Sequence, residues 1–124
     1  MKDYRLTNYE LELMDAIWKR GEATVQEVCD DIDRNLAYTT VMTTLTLLCN
    51  KKNTLKRIKR GKAFVYKPRI TREQVSESVL HNLRRVLFGD SLPSLVLDMM
   101  SSEEVTDKDI ATLKKALAEM ESKS

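Results

Sequence analysis

The sequence predicts a mainly α-helical protein: three helices and a two-stranded β-hairpin, the parts of a winged helix-turn-helix, followed by a helical region suited to dimerisation. Three observations predict it. Capping-box spacings recur ahead of apolar stripes of helical period, at Thr7/Glu10, Thr24/Glu27 and Thr71/Gln74. Two short runs of β-forming residues, Leu55 to Ile58 and Ala63 to Tyr66, flank Lys59-Arg60-Gly61-Lys62, a glycine-containing turn with three cations. After Pro68 the chain reads as helix only, with more apolar residues than about 50 residues can bury alone.

The first helix opens at Thr7, with Leu6 and Leu11 at hydrophobic-staple spacing, and runs to about Arg20 before Gly21, a residue that favours the left-handed helix stop. Leu11, Met14, Ile17 and Trp18 form its expected buried stripe, with Leu13 on the flank. The second helix spans about Val25 to Ile32, with Val25, Val28, Cys29 and Ile32 inward. Asp30, Asp31 and Asp33 crowd its end as an acidic turn, and Asp33-Arg34-Asn35 breaks the pattern.

The third helix begins near Ala37 and ends near Lys52-Asn53, where asparagine can take the left-handed conformation. Val41, Leu45 and Leu48 fall on one face; Thr39, Thr43, Thr46 and Asn50 fall on the other. An outer face of threonines, where a surface helix usually carries charges, suits close approach to another surface. Threonine can hydrogen-bond a base edge or phosphate, and its methyl can touch a thymine methyl.

Charge supports a polyanionic partner for this part of the chain. From Arg34 through Arg72 there are eleven Lys or Arg and no Asp or Glu. Residues 1–70 carry +5 and residues 71–124 carry −3, although the whole chain is only +2. The expected organisation is therefore a DNA-binding winged helix over 1–70 and a helical dimerisation domain over 71–124. Double-stranded DNA is the expected partner. Thr39, Thr40, Thr43 and Thr46 approach bases or adjacent phosphates, and Tyr38 is a candidate backbone contact. Thr24, at the start of the second helix, is a candidate phosphate contact. Lys51, Lys52, Arg60 and Lys62 add mainly sequence-independent affinity.

In the second part, helices are expected at Arg72 to Leu87, from Ser91-Leu92-Pro93, and after a Thr106 cap. Val79, Leu83, Val86, Leu87, Leu95, Val96, Met99, Ile110, Leu113 and Leu117 are the expected intersubunit apolar residues, with a second copy of the chain as their cover.

Enzymatic and cofactor chemistry is not expected. One histidine, His81, scattered serines and three isolated glycines offer no nucleophile–base pair and no phosphate-cradling loop. Two cysteines, Cys29 and Cys49, lack metal-ligand spacing and read as small packed hydrophobes, so no metal site is expected. The start has no apolar signal region, and no apolar run approaches bilayer length, which favours the cytosol.

The blocks LTNYELELMDAIWKRGEATVQEV, LAYTTVMTTLTLL and GKAFVYKP resemble the penicillinase-repressor family of bacterial winged-helix proteins, which includes the β-lactamase and methicillin-resistance repressors. The resemblance runs from about Leu6 to Leu117. It implies a homodimeric repressor of resistance or stress genes that binds an inverted-repeat operator, with Ala37 to about Asn50 as reading helix and Leu55 to Tyr66 as wing. In the antibiotic-response branch a membrane sensor-peptidase triggers cleavage at an Asn-Phe bond. Asp98-Met99 stands at the matching position here and is the candidate cleavage position. A copper-responsive branch carries cysteine pairs near its C-terminus; this chain has no cysteine after Cys49, so copper sensing is not implied. Lys52-Asn53 replaces the family's Lys-Gly.

Two other readings are compatible with the residues. One is a winged helix that docks an acidic protein partner. The other is an RNA-binding module, poorly supported because Phe64 and Tyr66 are expected to pack within the hairpin rather than stack on bases.

Overall fold

A computed structural model describes residues 4–123. In chain order the elements are α1 (Asn8–Arg20), α2 (Val25–Asp31), α3 (Tyr38–Asn50), β1 (Leu55–Arg60), β2 (Ala63–Pro68), α4 (Arg72–Leu87), α5 (Leu92–Met100) and α6 (Asp107–Lys123). They fall into two compact units, Met1–His81 and Asn82–Ser124.

In the first unit the helix starts follow their caps. Thr7 accepts from the Glu10 amide at 3.1 Å while the Glu10 carboxylate accepts from the Thr7 amide at 2.7 Å. Thr24 and Glu27 repeat the arrangement at 3.2 and 2.9 Å, and Thr71 and Gln74 repeat it at α4. Each box satisfies amides that a helix start leaves without partners. Gly21 (φ 88°) ends α1 in the left-handed region, as expected. Helix α2 stops at Asp31, one residue short of expectation, because Ile32 is already extended and serves as its C-cap.

The core is formed by Leu13, Met14 and Ile17 of α1, Val28 of α2, Val41, Leu45 and Leu48 of α3, and Leu55 and Tyr66 of the hairpin, joined by Ile70 and Val75. Leu13 is fully buried rather than flanking, and Leu11 and Trp18 are only partly covered. The stripe of α1 is rotated because the helix packs against α2, α3 and β2 together, not against one neighbour. Trp18 donates its indole N–H to the Ile70 carbonyl at 3.0 Å, and the Arg72 guanidinium lies 5.0 Å from its ring centre. The first half of α4 therefore belongs to this unit, through Val75 and the partly buried Val79.

The hairpin pairs antiparallel from Leu55↔Pro68 to Arg60↔Ala63. Both strands are two residues longer than expected, so the turn shrinks to Gly61-Lys62, with Gly61 at φ 62°. A single-residue β-bridge ties the α1–α2 connection to the hairpin: Ala23 and Tyr66 exchange backbone hydrogen bonds of 3.0 and 2.8 Å.

In the second unit, Ser91 caps α5 and Thr106 caps α6, the latter with Asp109 returning a bond to the Thr106 amide. Leu95 is buried, whereas α6 buries no residue at all. No helix among the described residues is long and apolar enough to cross a membrane.

Candidate nucleic-acid interface

Helix α3 is held by its apolar face and presents the opposite one. Val41, Leu45 and Leu48 are fully buried, while Tyr38, Thr39, Thr40 and Thr43 are exposed and Thr46 is half-buried. The hydroxyls of Thr43, Thr44 and Thr46 donate to the carbonyls of Thr39, Thr40 and Met42, at 2.9, 3.0 and 2.9 Å. Ala37 caps α3 without a side-chain bond.

The end of α3 is pinned. Asn53 adopts φ 56°, the left-handed stop expected for it. Thr54, fully buried, donates its amide to the Leu48 carbonyl at 3.0 Å and accepts from the Arg69 amide at 2.9 Å, so β1 leaves α3 in a fixed direction. The hairpin thus starts immediately beyond the helix and packs against it.

The cations assigned to phosphate contact divide into two groups. Lys51 and Lys62 are exposed, as are Lys56 and Lys59, and none has an acidic partner among the described residues. Lys52 is half-buried: its ammonium donates to the Arg5 carbonyl at 2.5 Å and lies 3.7 Å from the buried Glu10 carboxylate. Arg60 forms an ion pair with Glu22, and Lys67 stands 3.5 Å from the same carboxylate. Neither engagement was visible in the sequence, since both partners are remote along the chain.

Thr24 is placed less openly than expected. Its hydroxyl and amide are both occupied by Glu27, so an arriving phosphate would meet a carboxylate there. Arg20 donates to Glu27 at 2.8 Å and to Asp31, which neutralises part of the acidic turn. Phe64 is exposed rather than packed, with the Arg57 guanidinium 4.2 Å from its ring centre; Tyr66 is buried as expected. Cys29 and Cys49 are half-buried free thiols, and burial pushes both up from the usual thiol range, which disfavours the reactive thiolate.

Of the residues expected between subunits, Val86, Leu87, Met99 and Leu117 are 59% exposed or more, and Leu83, Val96 and Leu113 are also exposed. Ile110 is half-buried. Leu95 is covered within the single chain and has little surface to offer a partner, while Val79 is partly buried against the core of the first unit. Asp98 and Met99 are exposed but lie inside α5.

Three helices and an antiparallel hairpin, tied together by the Ala23–Tyr66 bridge, define a winged-helix protein, here with a hydroxyl-faced third helix and a basic wing. Residues 6–119 match the model of the penicillinase repressor family, and the chain belongs to that family. It is 28% identical over 117 residues to the penicillinase repressor of Bacillus licheniformis, covering 93% of this chain and 91% of that protein. It is 34% identical over 121 residues to the transcriptional regulator BlaI of Mycobacterium tuberculosis, covering 94% and 86%. The solution structure of the DNA-binding domain of the repressor BlaI aligns with a TM-score of 0.50 and 33% identity, over 57% of this chain and 88% of that one. The family consists of transcriptional repressors and not of enzymes.

Proposed function

We infer that this chain represses transcription as a homodimer bound to an inverted-repeat operator in double-stranded DNA. One observation carries the reading: a helix fixed by three fully buried residues exposes threonines on its far side, directly ahead of a hairpin whose Lys56, Lys59 and Lys62 are exposed and have no acidic partner among the described residues. Such a helix enters a major groove, with Tyr38, Thr39, Thr40, Thr43 and Thr46 nearest the bases and adjacent phosphates. Lys51 and Lys62 neutralise phosphates, and Arg60 joins them on release from Glu22. Lys52 acts mainly as a tether of the helix end to the N-terminal segment. Thr24 serves chiefly as the α2 cap.

The exposed apolar residues of α4, α5 and α6 support the homodimer, because a second copy would cover them and set two reading helices one helical turn apart. Release by a signal, with a sensor-peptidase cutting near Asp98-Met99, requires α5 to open locally, since the bond lies within a helix. The names of the relatives, a penicillinase repressor and a methicillin resistance regulatory protein, support resistance genes as the repressed targets. Gel-shift titration against the DNA flanking its gene tests the core of the reading. A duplex bound at least a hundredfold more tightly than scrambled DNA is expected, in line with specificity ratios of about a thousandfold or more. Equal binding of operator and scrambled duplex would refute it.

A further inference from the structure

The donors and acceptors on α3 decide which base edges it can read. From Tyr38 through Cys49 the helix contains no Arg, Lys, Asn, Gln or His, and Asn50, exposed at its last position, is the one such side chain on α3. Those are the side chains that grip guanine O6 and N7, or adenine N6 and N7, through paired hydrogen bonds. The polar side chains ahead of Asn50 are all hydroxyls, and those of Thr43, Thr44 and Thr46 have committed their protons. Thr43, Thr44 and Thr46 donate to backbone carbonyls one turn back, at 2.9 to 3.0 Å. An oxygen whose hydrogen is so engaged can still accept, but it has nothing to donate. Thr43 and Thr46 lie on the outward side of α3, opposite Val41, Leu45 and Leu48, and Met42, 41% exposed, adds a further apolar group beside them.

We propose that α3 reads A·T pairs through acceptor-only threonines: the oxygens of Thr43 and Thr46 accept from adenine N6 amino groups, and their methyls, with Met42, pack on thymine C5-methyls. The proposal rests on the operator reading above and adds the chemical class of base. The physical reason is exclusion as much as attraction. Guanine presents only acceptors in the major groove. An acceptor-only oxygen placed against guanine O6 or N7 would leave both desolvated without a proton between them. Cytosine offers an amino donor but no methyl, so it satisfies only half of the surface. Adenine opposite thymine satisfies both.

The test uses the full chain and duplexes selected by it from a pool with a random central segment. Sites enriched in A·T at the positions protected by α3 are expected. Three chemically altered versions of the enriched duplex then separate the contacts. Replacing thymidine by deoxyuridine removes the methyl and is expected to weaken binding about fourfold per contacted methyl. Replacing adenine by purine, which lacks the amino group, is expected to weaken wild type severalfold but to leave Thr43→Val unaffected at the base facing residue 43. Valine keeps the methyl and loses the oxygen. Circular dichroism and retained low-salt binding of random DNA verify that the variant folds. Replacing guanine by 7-deazaguanine under α3 is expected to cost nothing. A large loss with 7-deazaguanine and none with deoxyuridine would overturn the proposal while leaving operator binding intact. A pool from which no sequence is enriched would overturn the operator reading and this inference with it.

Discussion

Arg60, at the end of the first wing strand, is ion-paired to Glu22 in the α1–α2 connection, 38 residues earlier. The pair sits beside the Ala23–Tyr66 bridge, so the backbone that joins the wing to the helices also delivers the carboxylate. Both side chains remain a third exposed or more, and such a pair contributes little to stability. Its consequence is for binding: Glu22 competes with phosphate for Arg60 and, at 3.5 Å, for Lys67. Glu22→Gln is expected to tighten binding to all duplexes alike at low salt. The log–log salt slope should steepen by up to about one unit, the value of one additional phosphate contact. Fluorescence anisotropy at several salt concentrations measures it. Weaker binding by the variant would mean that Glu22 aims Arg60 at DNA rather than holding it back.

The wing tip carries the sequence-independent share of affinity. Arg60→Ala combined with Lys62→Ala should weaken operator and random duplex equally and flatten the salt slope by up to about two units. The same titrations check it. A change confined to operator preference would move the wing from phosphate contact to base reading.

Asn53 fixes the exit from α3 at φ 56°. Non-glycine residues are strained there by about 1–2 kcal/mol, with asparagine least affected. Asn53→Gly should therefore change unfolding free energy by less than about 1 kcal/mol, whereas Asn53→Val should destabilise by about 1–2 kcal/mol or more. Urea denaturation separates these outcomes. Equal stability of the valine variant would show that the turn can relax without leaving the native fold.

Leu45 is fully buried at the centre of the inward face of α3. Leu45→Ala should cost about 2–5 kcal/mol, the transfer term plus the cavity. Both the urea midpoint and operator binding near physiological temperature should fall. A loss below about 1 kcal/mol would contradict close packing of α3 on α1.

Val86 and Leu117 are 65% and 59% exposed, so a polar substitution at either is tolerated by the single chain. If a second copy covers them, Val86→Asp with Leu117→Asp should convert a dimer to a monomer in sedimentation equilibrium. Affinity for the full inverted repeat should drop about a hundredfold, the advantage that linking two sites provides, with half-site binding kept. A wild-type chain that stays monomeric at all concentrations would refute the dimer.

Much of the fold was legible residue by residue. The threonine–carboxylate and threonine–glutamine boxes, the left-handed Gly21 and Asn53, and the threonine face of α3 were all expected, and each was found. What escaped were particular side chains. Leu13 proved central, Phe64 turned outward beneath Arg57, and Lys52 and Arg60 were engaged by Glu10 and Glu22. A helical pattern shows that a stripe exists but fixes its orientation only to within a residue or so, and a charge run does not reveal where its counter-charges lie.

The division has a physical basis. A cap, a left-handed stop and a helical period are interactions between residues three or four apart, so the sequence by itself determined them, and with them the order of helices and hairpin. The register that brings Ala23 to Tyr66, Lys52 to Arg5 and Arg60 to Glu22 joins residues dozens of positions apart. Only packing of the helices and wing around one core brings such pairs within hydrogen-bonding range. Tertiary structure therefore decided which cations lie free for phosphate and which are held by carboxylates of their own chain.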